Sequence, residues 1–239
     1  MSHTVCRVTP RQLDHAVVAV VGASGGLGAA VTRRLVERGA SVLLAGRSAA
    51  RLRAAGPPGA PVVELDVRDP GAGDALVAAV AEHYGRLDGL VHAAGVVAFG
   101  DLASTEDTVL EEIVLTNLLG PLWITKRVIP LLSDSGGFVL QLSAVVAEQP
   151  LAGMVAYSAS KAALSAAGVA LGRELRRLGI TVVDARPPHT ETGLASRPIA
   201  GSAPRLAEGL SPDSVAARLV AAVEAGETQV PAATEWSVG

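Results

Sequence analysis

The feature that most constrains this chain is an alternation of two patterns. Short, nearly continuous apolar runs are separated by longer stretches with helical spacing. Residues 16–21 are apolar without interruption and stop at Gly22. A run of that length, with no polar alternation, reads as a strand buried on both faces. Residues 41–45, 61–67, 87–92, 137–142 and 180–184 repeat the pattern. Between them, residues 29–38, 47–55, 71–84 and 157–178 read as helices. Residues 105–132 hold one or two more, with Pro121 as a kink or break. Such alternation predicts an α/β fold: a parallel sheet with helices on both faces and right-handed crossovers.

The pattern stops at residues 187–210, which are rich in Pro, Gly, Ser and Arg. A loop of that length inside a compact domain is usually functional, and a substrate lid is expected here. Residues 211–226 return to a helix, with Pro212 in its first turn and Gly226 past its end. A short edge strand is expected near Gln229 and Val230. No linker divides the chain, so residues 1–239 are expected to form one domain. Aromatic residues make up only 3% of the chain, so Ala, Val, Leu and Gly must build the core through close helix–sheet contacts. A net charge of −3 with no basic stripe argues against nucleic acid. No apolar run is long enough to span a membrane. Cys6 is the only cysteine, and residues 1–15 lack a signal-peptide core, so a cytoplasmic location is expected.

The first strand ends in Gly22-Ala23-Ser24-Gly25-Gly26-Leu27-Gly28. Glycines at a strand-to-helix turn let the backbone approach a pyrophosphate, and the helix N-terminus adds free N–H groups. The end of the second strand bears on the choice of dinucleotide. An acidic residue there would bond the ribose 2′-OH of NAD(H), but the sequence reads Ala45-Gly46-Arg47. Arg47 suits a 2′-phosphate, so NADP(H) is expected over NAD(H). Asp66, ending the third strand, is a candidate acceptor for the adenine amino group; capping a helix is its alternative role.

Tyr157 and Lys161 are four residues apart and so share one face of a helix. An adjacent ammonium favours the tyrosinate and lowers the phenol pKa, as a general acid requires. The alternative is a packed Tyr beside a surface Lys.

Taken in order, Gly22/Gly26/Gly28, Asp66, His92-Ala93-Ala94-Gly95, Asn117, Tyr157-x-x-x-Lys161 and Pro187…Thr192 resemble the short-chain dehydrogenase/reductase family. The resemblance runs from about Ala16 to Gly226. It implies a Rossmann-type, doubly wound sheet of about seven strands. It implies Tyr157 as acid/base, Lys161 on the nicotinamide ribose, and Asn117 holding a relay water at a helix kink. Ala94 and Gly95 would lie close to the cofactor, as would Pro187. Thr192 would bond the nicotinamide carboxamide, with Thr190 offering a backbone group beside it. A homo-oligomer, dimer or tetramer, is also implied, and the small-residue helix 158–171 fits burial on a second side.

Three departures stand out. The family's Asn-Asn-Ala-Gly reads His92-Ala93-Ala94-Gly95, which makes His92 structural. Its Pro-Gly reads Pro187-Pro188. Its catalytic serine falls at Ala144, with Ser143 one residue earlier. A one-residue offset along a strand reverses the side-chain face. Either the loop after Ser143 restores its direction, or the oxyanion donor is missing. The first case gives an NADP(H)-dependent oxidoreductase acting on a carbonyl or alcohol. The second leaves room for a dinucleotide-binding sensor or partner protein with little catalysis. Glu148, Gln149 and His189 are further candidates for the substrate pocket. The histidines lack metal-ligand spacing, and no metal is expected.

Overall fold

The apolar runs become strands β1 (Val17–Val21), β2 (Ser41–Gly46), β3 (Val62–Glu64), β4 (Gly89–His92), β5 (Phe138–Leu142), β6 (Thr181–Ala185) and β7 (Gln229–Val230) in a computed structural model that describes residues 10–236. Cys6 and His3 lie outside the described residues. The strands form one parallel sheet in the order β3-β2-β1-β4-β5-β6-β7. The helices between them are α1 (Gly26–Glu37), α2 (Ala49–Ala55), α3 (Ala72–His83), α4 (Asp107–Val114), α5 (Gly120–Ser135), α6 (Val155–Leu175) and α7 (Pro212–Ala225).

Alternate side chains of β1 feed two cores. Val18 and Val20 pack in the layer that includes Val31 of α1 and Leu219 of α7. Val17, Ala19 and Val21 pack in the layer that includes Leu76 of α3 and Ile124 of α5. Every β1 residue is buried, which explains the unbroken apolar run. Full burial of each valine stabilises the fold by roughly 1.5–3 kcal/mol. Because β1 lies between β2 and β4, the crossovers leave it in opposite directions. A crevice opens there, at the carboxyl ends of β1 and β4.

Two boundaries moved for local reasons. The third strand was expected to reach residue 67 but pairs only from Val62 to Glu64. Its partner β2 ends at Gly46, opposite Glu64. The stretch 105–132 became α4 and α5 joined by a π turn, Leu115–Leu119. Pro121 has no N–H to offer the Asn117 carbonyl four residues back, and a π turn accommodates that loss without ending the helix.

The 187–210 loop contains no regular helix or strand. It is tied down by isolated bridges from Thr190 to Leu210 and from Ala98 to Ala200. Trp236 is buried in the first core and donates its indole N–H to Ala232 O at 3.2 Å. Among the described residues no helix is long and apolar enough to cross a membrane.

Candidate active site

The glycine turn sits at the crevice. Gly22 has φ +87°, and a Cβ there would stand 2.4 Å from Ala94 N. A Cβ on Gly28 would meet Gly22 O at 2.2 Å, and one on Gly26 would meet Thr192 Cα at 2.8 Å. No side chain fits at these positions. Gly25 is the N-cap of α1 and supplies no side-chain cap, so the first N–H groups of the helix stay available. Ser24 and Leu27 belong to the same turn and lie partly exposed. Bare backbone, a helix N-terminus and close packing are the donor set that an anionic dinucleotide fits.

Arg47 follows β2 directly and is exposed. Its positive charge acts on Asp66, whose carboxyl is held below its ordinary pKa first by the Arg68 side-chain hydrogen bond. Arg68 grips both oxygens of Asp66, with Nη2 to Oδ2 at 2.7 Å and Nε to Oδ1 at 3.1 Å. Asp66 also accepts from Arg68 N at 3.0 Å, and the N-cap of α3 is Gly71, with no side-chain cap from Asp66 or Asp69. As an adenine acceptor, Asp66 would have to share its oxygens with Arg68.

Tyr157 and Lys161 do share one face of α6, both buried, with Nζ 5.8 Å from the ring centroid. Lys161 donates to Leu142 O at 2.7 Å. Gly95 lies nearby: a Cβ added there would stand 3.7 Å from Lys161 Nζ. Burial pushes Lys161 down to about 8, with Asp184 opposing the shift. Burial pushes Tyr157 up to about 12. The four-residue spacing by itself predicts a lowered phenol pKa. In the fold desolvation dominates, because the ring is enclosed and the ammonium is turned to Leu142 O. At neutral pH Tyr157 is therefore a neutral phenol, the donor form.

Asn117, in the π turn, is almost fully buried. Its Oδ1 accepts from Val96 N and its Nδ2 donates to Val96 O, each at 2.9 Å, and Nδ2 also reaches Ser160 Oγ at 3.2 Å. The side chain clamps the loop after β4.

The serine question has a geometric answer. Ser143 Oγ donates to Asp184 Oδ1 at 2.5 Å in the interior between β5 and α6. Ala144, extended at φ −170°, points the other way, into a buried cluster with Val97, Phe99, Val146 and Tyr157. The loop does not restore Ser143 to the tyrosine side. The Ser143 hydroxyl therefore faces the interior on Asp184, and the face beside Tyr157 carries the Ala144 methyl group.

The long loop leans over this cluster through Leu194, Ala195 and Ala203. Pro187 O accepts from Val145 N at 3.0 Å, which ties the loop's start to the segment after Ala144. Thr190 Oγ1 donates to Pro188 O, and Thr192 Oγ1 accepts from Leu194 N. Thr192 packs against Gly26 of the glycine turn. Glu148 Oε1 lies 2.5 Å from Arg186 Nε and accepts from Ala232 N. His189 pairs with Glu191 at 3.3 Å. His92 Nε2 meets Thr125 Oγ1 at 2.9 Å, and burial pushes its pKa down to about 3, as befits a structural neutral imidazole. No group of three or more His, Cys, Asp or Glu converges among the described residues.

Sequence reasoning missed Val97 and Phe99, which no motif marks. It also missed Asp184 and Arg186. There a signal existed: two opposite charges, two apart and so on one face, inside an apolar strand end.

Residues 16–200 match the family model described as short chain dehydrogenase. The chain is 31% identical over 205 residues to the 3beta-hydroxysteroid dehydrogenase of Mediterraneibacter gnavus, spanning 82% of this chain and 74% of that one. It superposes with TM-score 0.80 on an alcohol dehydrogenase from the archaeon Thermococcus sibiricus complexed with 5-hydroxy-NADP, at 25% identity, covering 92% and 95% of the two chains. The fold also matches a 3-ketoacyl-(acyl-carrier-protein) reductase from Brucella melitensis complexed with NADH, with TM-score 0.83, 23% identity and coverage of 92% and 97%.

Proposed function

The chain belongs to the short-chain dehydrogenase family, and from that premise we propose that it is an NADP(H)-dependent oxidoreductase acting on a carbonyl or the corresponding alcohol. The observation that carries this reading is the buried pairing of Tyr157 with Lys161 on α6, beside the glycine turn. A bound nicotinamide dinucleotide supplies or takes the hydride; the residues of this chain handle binding and the proton. Gly22, Gly25, Gly26 and Gly28 admit the pyrophosphate against the N-terminus of α1. Ser24 and Leu27 complete the turn around it. Ala94 and Gly95 leave room along the crevice, and Thr190 and Thr192 close it from the loop side. The preference for NADP(H) rests on this chain's own Arg47 and the lack of an acid after β2.

Tyr157 donates its phenolic proton to the carbonyl oxygen during reduction. Lys161 stays charged beneath it and stabilises the tyrosinate left behind. Asn117 holds the Val96 loop against this pair. Val97, Phe99, Val146, Leu194 and Ala203 make the surroundings apolar. This supports a carbonyl flanked by hydrocarbon rather than by charged groups. The α6 face that carries Ala159, Ala166, Val169 and Ala170 stays exposed in the single chain, which supports a homo-oligomer. Sizing the chain by light scattering tests that.

The sensor reading keeps one support, the methyl group at Ala144. The two are separated by Tyr157→Phe, assayed by NADPH oxidation with a panel of apolar ketones. Turnover should vanish while NADPH still binds with nearly unchanged affinity. Turnover equal to wild type would overturn the acid role, and no turnover by wild type with any carbonyl would favour the sensor.

A further inference from the structure

Behind the proposed acid/base pair lies a carboxylate that the reading above does not use. Asp184 of β6 is fully buried. Its Oδ1 accepts from Ser143 Oγ at 2.5 Å and Gln141 Nε2 at 3.1 Å. Its Oδ2 accepts from Ser165 Oγ at 2.6 Å and Arg186 Nη1 at 2.7 Å. Arg186 also donates to Gln229 Oε1 at 2.7 Å, and its Nε lies 2.5 Å from Glu148 Oε1, though the N–H does not aim at that oxygen. Stability alone does not account for such a cluster. Well-packed apolar side chains generally match or exceed a buried ion pair.

The position of the cluster suggests what it does. The carbonyl that holds the Lys161 ammonium belongs to Leu142, and the hydroxyl that holds the Asp184 carboxylate belongs to the next residue, Ser143. The two charges approach through the end of β5, inside the protein, where water does not screen them. From its own helix Lys161 faces Tyr157. From the π turn it faces the uncharged Asn117, and from the loop after β4 the backbone of Gly95. From β6 it feels Asp184, behind which stand Arg186 and Glu148.

The geometry points to Asp184 as a positioning residue for Lys161. Its charge, fixed by Ser143, Ser165 and Gln141 and partly offset by Arg186, keeps the ammonium charged and seated on Leu142. Burial pulls Lys161 down to about 8, and Asp184 acts against that pull. Removing the carboxylate would let burial lower Lys161 further, toward the neutral amine. The catalytic meaning of this rests on the acid/base reading of Tyr157 and Lys161; the electrostatic link itself does not.

The chain has two lysines, Lys126 and Lys161, and Lys126 is exposed. With lysine labelled by ¹³C at Cε, a pH titration followed by NMR resolves both, and Lys126 serves as internal reference. In Asp184→Asn the Lys161 midpoint should fall by about one pH unit or more. In Arg186→Gln it should rise, because the offsetting cation is gone. Opposite movements cannot arise from general loosening. The alkaline limb of kcat/KM for ketone reduction should move in the same direction in each variant. A Lys161 midpoint unmoved in the folded variants would overturn the proposal. Should Asp184→Asn fail to fold, Arg186→Gln decides alone: a rise supports the link and no change sinks it. A wild type that reduces no carbonyl would refute the oxidoreductase reading, while the titration would still decide this one.

Discussion

Ala144 shares a buried apolar cluster with Tyr157, so the strand position beside the phenol presents a methyl group and no hydroxyl. Its neighbour Ser143 spends its hydroxyl on Asp184, on the opposite face. On the proposed reading, Tyr157 would donate the proton and no side-chain hydroxyl would stand at Ala144 to bond the developing oxyanion.

Ala144→Ser should therefore raise kcat/KM about tenfold or more, since one such donor is commonly worth about 10²–10³ in rate. Ser143→Ala should leave kcat/KM within about twofold and lower stability by about 1–3 kcal/mol, because a buried acceptor loses a partner. Steady-state kinetics and urea melts check both. A large loss of turnover in Ser143→Ala, with no gain in Ala144→Ser, would return the catalytic role to Ser143.

Arg47 follows β2 at the crevice and is exposed. Arg47→Asp should weaken NADPH binding by about ten- to a hundredfold, or roughly 1.4–2.8 kcal/mol, and leave NADH unchanged or improved. Titration of intrinsic fluorescence with each dinucleotide measures the difference. Equal weakening of both would contradict a contact with the 2′-phosphate.

His92 sets an acid limit on stability. Its folded pKa of about 3 lies below the ordinary value of 6.5, so between those values the unfolded chain binds a proton that the folded chain does not. This stability is complete above pH 6.5 and is lost as pH falls. Between pH 6.5 and 4.5 the loss is about 2–3 kcal/mol. His92→Asn removes the titrating group and should flatten that slope by about this amount in urea melts at each pH. An unchanged slope would place the acid sensitivity elsewhere.

Some features were legible because they depend on nearest neighbours along the chain. The unbroken apolar run before Gly22 meant a strand buried on both faces, and β1 is one. The four-residue spacing of Tyr157 and Lys161 meant a shared helix face, whatever the helix packs against. Pro121 marked a disturbance in a helix, and the π turn at Asn117 lies just before it. The third strand ran short because its length is set by β2, a partner that the sequence of residues 61–67 does not describe.

Order along the chain was enough to set the alternation of strands and helices, the bare glycine turn and the spacing of a phenol and an amine. Each follows from local stereochemistry: side-chain period, the room that glycine leaves, and the helical repeat. The tertiary structure decided whom each polar group meets. It gave Ser143 to Asp184, 41 residues away, set Ala144 on the tyrosine side, engaged Asp66 with Arg68, and raised rather than lowered the phenol pKa. The physical reason is that register and burial belong to the assembled sheet. Which face a strand residue shows, and how much water reaches it, depend on neighbours that only folding brings together.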